Sequence, residues 1–184
     1  MGRPGTLVLV VGASGVGKDT LLSAARAALG GDRRFVFPRR VVTRRADAAL
    51  EDHDSVSREE FGAARSAGAY ALSWDAHGLS YGLPAGLEAE LSAGRVVVFN
   101  ASRSIVAEAM AKYPGTRVLL IEARPEVRTA RLAGRGRETA EEVARRLVRE
   151  VDFSLPGAVR IDNSGRLADG VERFIGALRA IGSQ

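Results

Sequence analysis

Residues Thr6-Leu-Val-Leu-Val-Val11 form an unbroken β-favouring run that stops at glycine, and Gly12-Ala-Ser-Gly-Val-Gly-Lys18 follows at once. An apolar run with no polar interruption reads as a strand buried on both faces of a parallel sheet. From Gly17 to Leu29 apolar residues return at helical spacing (Leu21, Leu22, Ala25, Leu29) before Gly30-Gly31 closes the element. The order is strand, glycine loop, helix. In that setting G-x-x-x-x-G-K builds an anion nest: glycines let the backbone curl so that N–H groups face inward, and the helix start adds roughly half a unit of positive charge. Lys18 supplies a mobile charge for the β- and γ-phosphates of a nucleotide. Gly12, Ala13, Ser14, Gly15, Val16, Gly17, Lys18, Asp19 and Thr20 are therefore the expected nucleotide-binding residues, with Lys18 also catalytic.

Two positions depart from the usual pattern of such loops. Asp19 follows the lysine where a serine or threonine ordinarily holds magnesium, and Thr20 stands one step later. Asp19 and Thr20 are both candidate Mg2+ ligands, since the ion accepts oxygen donors of either kind. A second buried strand, Arg95 to Asn100, ends in asparagine where many enzymes of this sort carry aspartate.

The rest of the chain alternates strands and helices. Phe35 to Thr43 reads as one or two short strands broken by Pro38, and Ser57-Arg-Glu-Glu60 is a capping box opening a helix to about Ala67. Ala69 to Tyr81 predicts short strands around a turn at His77-Gly78, with a short helix near Pro84 to Ala93. A helix from about Ser102 to Tyr113, a third buried strand at Thr116 to Glu122 and a helix opened by Pro125 come next. Thr139-Ala-Glu-Glu142 caps a further helix, Ala158 to Asp162 is a last strand, and Leu167 to Ile181 a closing helix. The pattern predicts an α/β three-layer sandwich with a parallel central sheet.

At 184 residues, 46% hydrophobic and 27% charged, the chain suits one domain, 1–184, with small insertions. It has no cysteine and two histidines, His53 and His77, which excludes disulfides, thiol nucleophiles and zinc fingers. The apolar run near the N-terminus is too short to span a membrane, so a cytoplasmic enzyme is expected. The net charge of +5 comes from basic residues spread along the chain, almost all arginine, which reads as compositional bias rather than a nucleic-acid footprint.

Together these segments resemble the guanylate-kinase branch of the P-loop kinases. Thr43-Arg44 is similar to its first acceptor-phosphate arginine, and Val56-Ser-Arg-Glu-Glu-Phe61 with His77-Gly-Leu-Ser-Tyr-Gly82 to its acceptor-binding insertion. Arg131-Leu-Ala-Gly-Arg-Gly-Arg137 and Arg145-Arg-Leu147 resemble its arginine-bearing lid. Within the branch, Gly17-Lys-Asp-Thr20, Glu51-Asp-His53, Ala71-Leu-Ser-Trp74 and Arg135-Gly-Arg-Glu138 look most like the ribose 1,5-bisphosphate phosphokinases of phosphonate catabolism.

The resemblance implies a P-loop kinase fold with an insertion at about 33–92 and a lid at about 131–147. The reaction it implies is ATP-dependent phosphorylation of ribose 1,5-bisphosphate to 5-phosphoribosyl 1-diphosphate plus ADP. It carries Arg44, His53 and Tyr81 to the acceptor, Arg131 and Asn163 to ATP, and Arg135, Arg137 and Arg146 to transition-state charge. ATP, Mg2+ and a small phosphorylated sugar are the expected partners, without nucleic acid or membrane; self-association into a homodimer stays open.

Guanylate kinases place a glutamate before the His-Gly turn to accept hydrogen bonds from guanine, and Leu72 occupies that position here. Each base donor left unpaired in a closed site costs about 1–3 kcal/mol, so guanine recognition should suffer. The alternatives are a guanylate kinase, or a non-catalytic guanylate-kinase-like interaction module, which would tend to lose the phosphate loop.

Overall fold

The computed structural model describes residues 4–44, 53–76, 78–134 and 155–184. Strand β1 (Thr6–Gly12) lies at the centre of a five-stranded sheet in which every pairing is parallel. The strands lie in the order β2 (Phe35–Val36), β7 (Val96–Asn100), β1, β8 (Arg117–Glu122), β9 (Val159–Asp162). Because β1 is covered on both sides, Leu7 to Val11 are each at most 1% exposed.

Strand alternation divides the core into two layers. Leu7, Leu9 and Val11 pack with Val97, Phe99 and Ile105 on one face of the sheet. Val8 and Val10 meet Leu21, Ala25 and Leu29 of α1 (Lys18–Leu29) and Phe174 and Leu178 of the closing helix α6 (Leu167–Gly182) on the other. The expected α/β sandwich is the fold observed.

The segment broken at Pro38 forms two strands in two different sheets. β2 joins the central sheet beside β7, whereas β3 (Arg40–Val42) enters a four-stranded sheet in the order β4 (His53–Ser55), β3, β6 (Leu79–Pro84), β5 (Tyr70–Ala76). This second sheet falls within the 33–92 stretch expected to be an insertion. β5 and β6 form an antiparallel hairpin with Gly78 at φ +73° in its turn; His77 is outside the described residues. Helix α2 (Arg58–Ser66) opens with both halves of the capping box present, and α3 (Leu87–Ser92) follows β6.

The predicted helix at 102–113 begins as a 3-10 turn, Arg103–Ile105, and continues as α4 (Val106–Lys112). The Ser102 hydroxyl accepts from the Ser104 amide and tightens that first turn. Pro125 opens α5 (Pro125–Ala133), where its missing N–H costs nothing. The second sheet is tied to the core through Lys112, which donates to the Ala71 carbonyl at 2.9 Å and pairs with Glu88 at 3.1 Å. The Tyr113 hydroxyl donates to the same Glu88 carboxylate.

Candidate active site

The glycine loop leaves the carboxyl end of β1, the place where open parallel sheets bind ligands. Gly12 lies so close to β8 that a Cβ there would stand 2.3 Å from the Ile121 carbonyl oxygen. Gly17 has φ +92°, and a Cβ on it would meet Asn163 Nδ2 at 2.6 Å. Both positions exclude a side chain.

Helix α5 and the end of β9 clamp the loop from outside. Arg128 Nε donates to the Ser14 carbonyl at 3.1 Å, while Arg131 donates to Val16 at 3.2 Å and to the Asn163 carbonyl at 2.9 Å. Asn163 Nδ2 adds a 2.8 Å bond to Val16. In a trans peptide the carbonyl and the next N–H point in opposite directions, so holding Ser14 and Val16 outward aims the Gly15 and Gly17 amides the other way. That is the polarity an anion requires. Lys18 Nζ reaches back over the loop to the carbonyls of Gly12 at 2.5 Å and Ala13 at 3.1 Å.

Asn163 is 1% exposed and sits between Gly17 and Gly170 of α6. The sequence pairs it with a nucleotide; in the fold its amide spans β9 and the loop. Its Oδ1 is buried, has no hydrogen-bond partner among the described residues and faces Gly170. Asp162 makes the preceding turn by accepting from both the amide and the hydroxyl of Ser164, and the hydroxyl bond leads in holding its carboxyl below the usual range.

Asp19 and Thr20 part company. Asp19 faces a pocket of about 200 Å³ at the end of β7, where Asn100 Nδ2 donates to Asp19 Oδ1 at 2.7 Å. Thr20 is exposed and does not line that pocket. Asn100 thus orients the neighbouring carboxylate. A carboxylate oxygen held this way, with other oxygen donors from phosphates, fits a magnesium ion, which commonly binds through one or two carboxylates plus substrate phosphates. Among the described residues no three of His, Cys, Asp and Glu gather into a metal cage.

The second sheet brings two of the expected acceptor residues, His53 and Tyr81, onto one face. Arg40 pairs in register with His53, and Val42 with Tyr81, so Arg40, His53 and Tyr81 share one face. The Arg40 guanidinium lies 5.5 Å from the Tyr81 ring centre, and Tyr81 stacks on Trp74 at 5.3 Å. His53 is 8% exposed. Thr43 exchanges hydrogen bonds with Ser80, which carries Arg44 to the end of β3, where it is exposed. Leu72 is 2% exposed within the core, and Phe61 and Tyr70 stack as packing groups. Arg135, Arg137 and Arg146 lie outside the described residues.

Sequence reading missed Arg26 and Arg40, which line the pocket beside Asp19. In so arginine-rich a chain neither stands out. Only the i, i+7 spacing of Asp19 and Arg26 on one helix face signals a shared surface.

No family model matches the chain. Its curated relatives include a ribose 1,5-bisphosphate phosphokinase from Brucella melitensis, 47% identical over 96% of this chain and 93% of the relative. Another, from Acidiphilium cryptum, is 54% identical over 81% of this chain and 79% of that protein. The chain belongs to the ribose 1,5-bisphosphate phosphokinase family. A guanylate kinase from Anaplasma phagocytophilum superposes with a TM-score of 0.71 over 98% of this chain and 88% of that one, at 19% identity, which shows a shared fold. The fold of this chain is thus guanylate-kinase-like, with Leu72 in its apolar core.

Proposed function

We propose that this chain transfers the γ-phosphoryl group of ATP to the 1-phosphate of ribose 1,5-bisphosphate, giving 5-phosphoribosyl 1-diphosphate and ADP. The observation that carries the reading is the 47% identity along 96% of the chain to a relative bearing that activity in its name. Leu72, where the resemblance to guanylate kinases would place a guanine-accepting glutamate, is apolar and packed in the core.

The amides of Gly12 to Gly17 cradle the β- and γ-phosphates, and Lys18 leaves its carbonyl contacts to follow the transferring charge. An oxygen of the acceptor's 1-phosphate attacks the γ-phosphorus in line; the new P–O bond forms as the bond to the β–γ bridging oxygen breaks, and ADP departs with that electron pair. The attacking phosphate is already ionised near neutral pH, so no general base is needed. Arg44, His53 and Tyr81 orient the acceptor, Arg131 and Asn163 keep the loop in shape on the ATP side, and Arg135, Arg137 and Arg146 neutralise charge from the lid. Asp19, with Thr20 as the second candidate, would hold Mg2+, which when bound offsets charge on the β- and γ-phosphates. Asp19→Asn should raise the Mg2+ concentration for half-maximal turnover roughly tenfold.

A panel of phosphorylated acceptors with ADP detection tests the assignment. Ribose 1,5-bisphosphate should be consumed and GMP left nearly untouched. Rapid GDP formation with ribose 1,5-bisphosphate unused would replace this reading with guanylate kinase.

A further inference from the structure

The pocket beside the phosphate loop has two ends. Asp19, Ser23 and Arg26 fall on one face of α1 and line it together. Seven residues at 1.5 Å rise place Asp19 and Arg26 about 10 Å apart along the helix. The Asp19 end, with Asn100 and Lys18 nearby in the chain, belongs to phosphoryl transfer. The far end is cationic. Arg26 there donates to the Phe37 carbonyl at 2.9 Å, which fixes its guanidinium against the wall, and Arg40 enters from β3 on the face shared with Tyr81 and His53.

We infer that Arg26 and Arg40 form a second phosphate subsite, holding the acceptor's 5-phosphate at the end of the pocket opposite the reacting 1-phosphate. The inference rests on the proposed reaction. A sugar with a phosphate at each end needs one cationic site for transfer and another that only anchors. A guanidinium fork suits the anchor because it grips phosphate oxygens in pairs and stays charged. The pocket, at about 200 Å³, is smaller than the roughly 300–1,000 Å³ of drug-sized sites, which suits a pentose phosphate better than a nucleotide. Burial, and then the neighbouring Arg39 charge, pull the Arg26 guanidinium below the ordinary arginine range, a strain that a bound dianion relieves. The pair is thereby a specificity device: it places positive charge where a base-bearing monophosphate has no second phosphate to offer in return.

The test uses purified protein with ribose 5-phosphate and ribose 1-phosphate, each carrying one of the two phosphates. Arg40→Gln and Arg26→Gln should raise KM for ribose 1,5-bisphosphate about tenfold to a hundredfold, the loss of a charged hydrogen-bond pair, with KM for ATP unchanged. Calorimetric binding of ribose 5-phosphate should weaken by the same factor, and that of ribose 1-phosphate by less than about twofold, on the same reckoning. Arg40→Lys and Arg26→Lys, which keep the charge without the fork, should fall between, and they carry the test if the glutamine variants do not fold. Equal weakening of both ligands, or no weakening of ribose 5-phosphate, would overturn the subsite. Calorimetry needs no turnover, so a protein that binds ribose 5-phosphate through these arginines yet transfers nothing to ribose 1,5-bisphosphate would fail the functional reading alone.

Discussion

A single carbonyl, that of Val16, shows how the loop is held: two donors, Arg131 and Asn163, occupy it from the side opposite the expected phosphate. Lys18→Ala removes the mobile charge together with its contacts to the Gly12 and Ala13 carbonyls, and leaves the apolar core untouched. Turnover should fall at least on the order of a hundredfold while circular dichroism stays native. Gly170→Ala probes the clamp, because its Cβ would stand 2.2 Å from Asn163 Oδ1. Overpacking costs about 1–3 kcal/mol, against at most about 1 gained in helix propensity, so a net loss is expected. Tm should drop by a few degrees, at roughly 2–4 °C per kcal/mol, and KM for ATP should rise as the loop shifts. At this scale Lys18 and the loop glycines were legible because they are contiguous. Asn163 was visible only as a position; that its side chain points into the protein depends on Gly17 and Gly170, each distant from it in role or sequence.

Elements follow local chemistry closely. The capping box at α2 was written in four consecutive residues, and its serine oxygen and Glu60 carboxylate satisfy the first free amides. Ser57→Ala should lower stability by about 1 kcal/mol, measured as a shift of the thermal midpoint. The Ser57 amide, donating to Glu60 at 2.7 Å, also holds that carboxyl below its ordinary value of 4.5. Its contribution is therefore complete above about pH 4.5 and fades as pH falls through the lowered folded value. Thermal midpoints of wild type and Glu60→Gln should accordingly converge in acid and separate near neutrality. Pro38 shows the limit of such reading. Proline announced a break, but that the two fragments join separate sheets depends on strands far along the chain, β7 for Phe35–Val36 and β4 and β6 for Arg40–Val42.

For the molecule as a whole, two core layers sandwich the central sheet, Lys112 of α4 holds β5 of the second sheet through the Ala71 carbonyl, and Glu88 of α3 takes Lys112 and Tyr113. No helix among the described residues is long and apolar enough to cross a membrane. ATP at one hundred times its dissociation constant should stabilise the native state by about 2.7 kcal/mol, by mass action. Differential scanning fluorimetry should show this as a rise in Tm of several degrees that Lys18→Ala largely abolishes.

Sequence alone determined the central strand, the phosphate loop and the alternation of layers, since each depends on residues within one or two turns of one another. Tertiary structure decided the pocket. Asp19, Arg26, Arg40 and Asn100 come from α1, β3 and β7, and their shared surface exists only once the sheet sets those elements side by side. Contiguous residues leave a mark in the chain through steric and hydrogen-bonding rules, whereas convergent charge leaves none until packing gives it a direction.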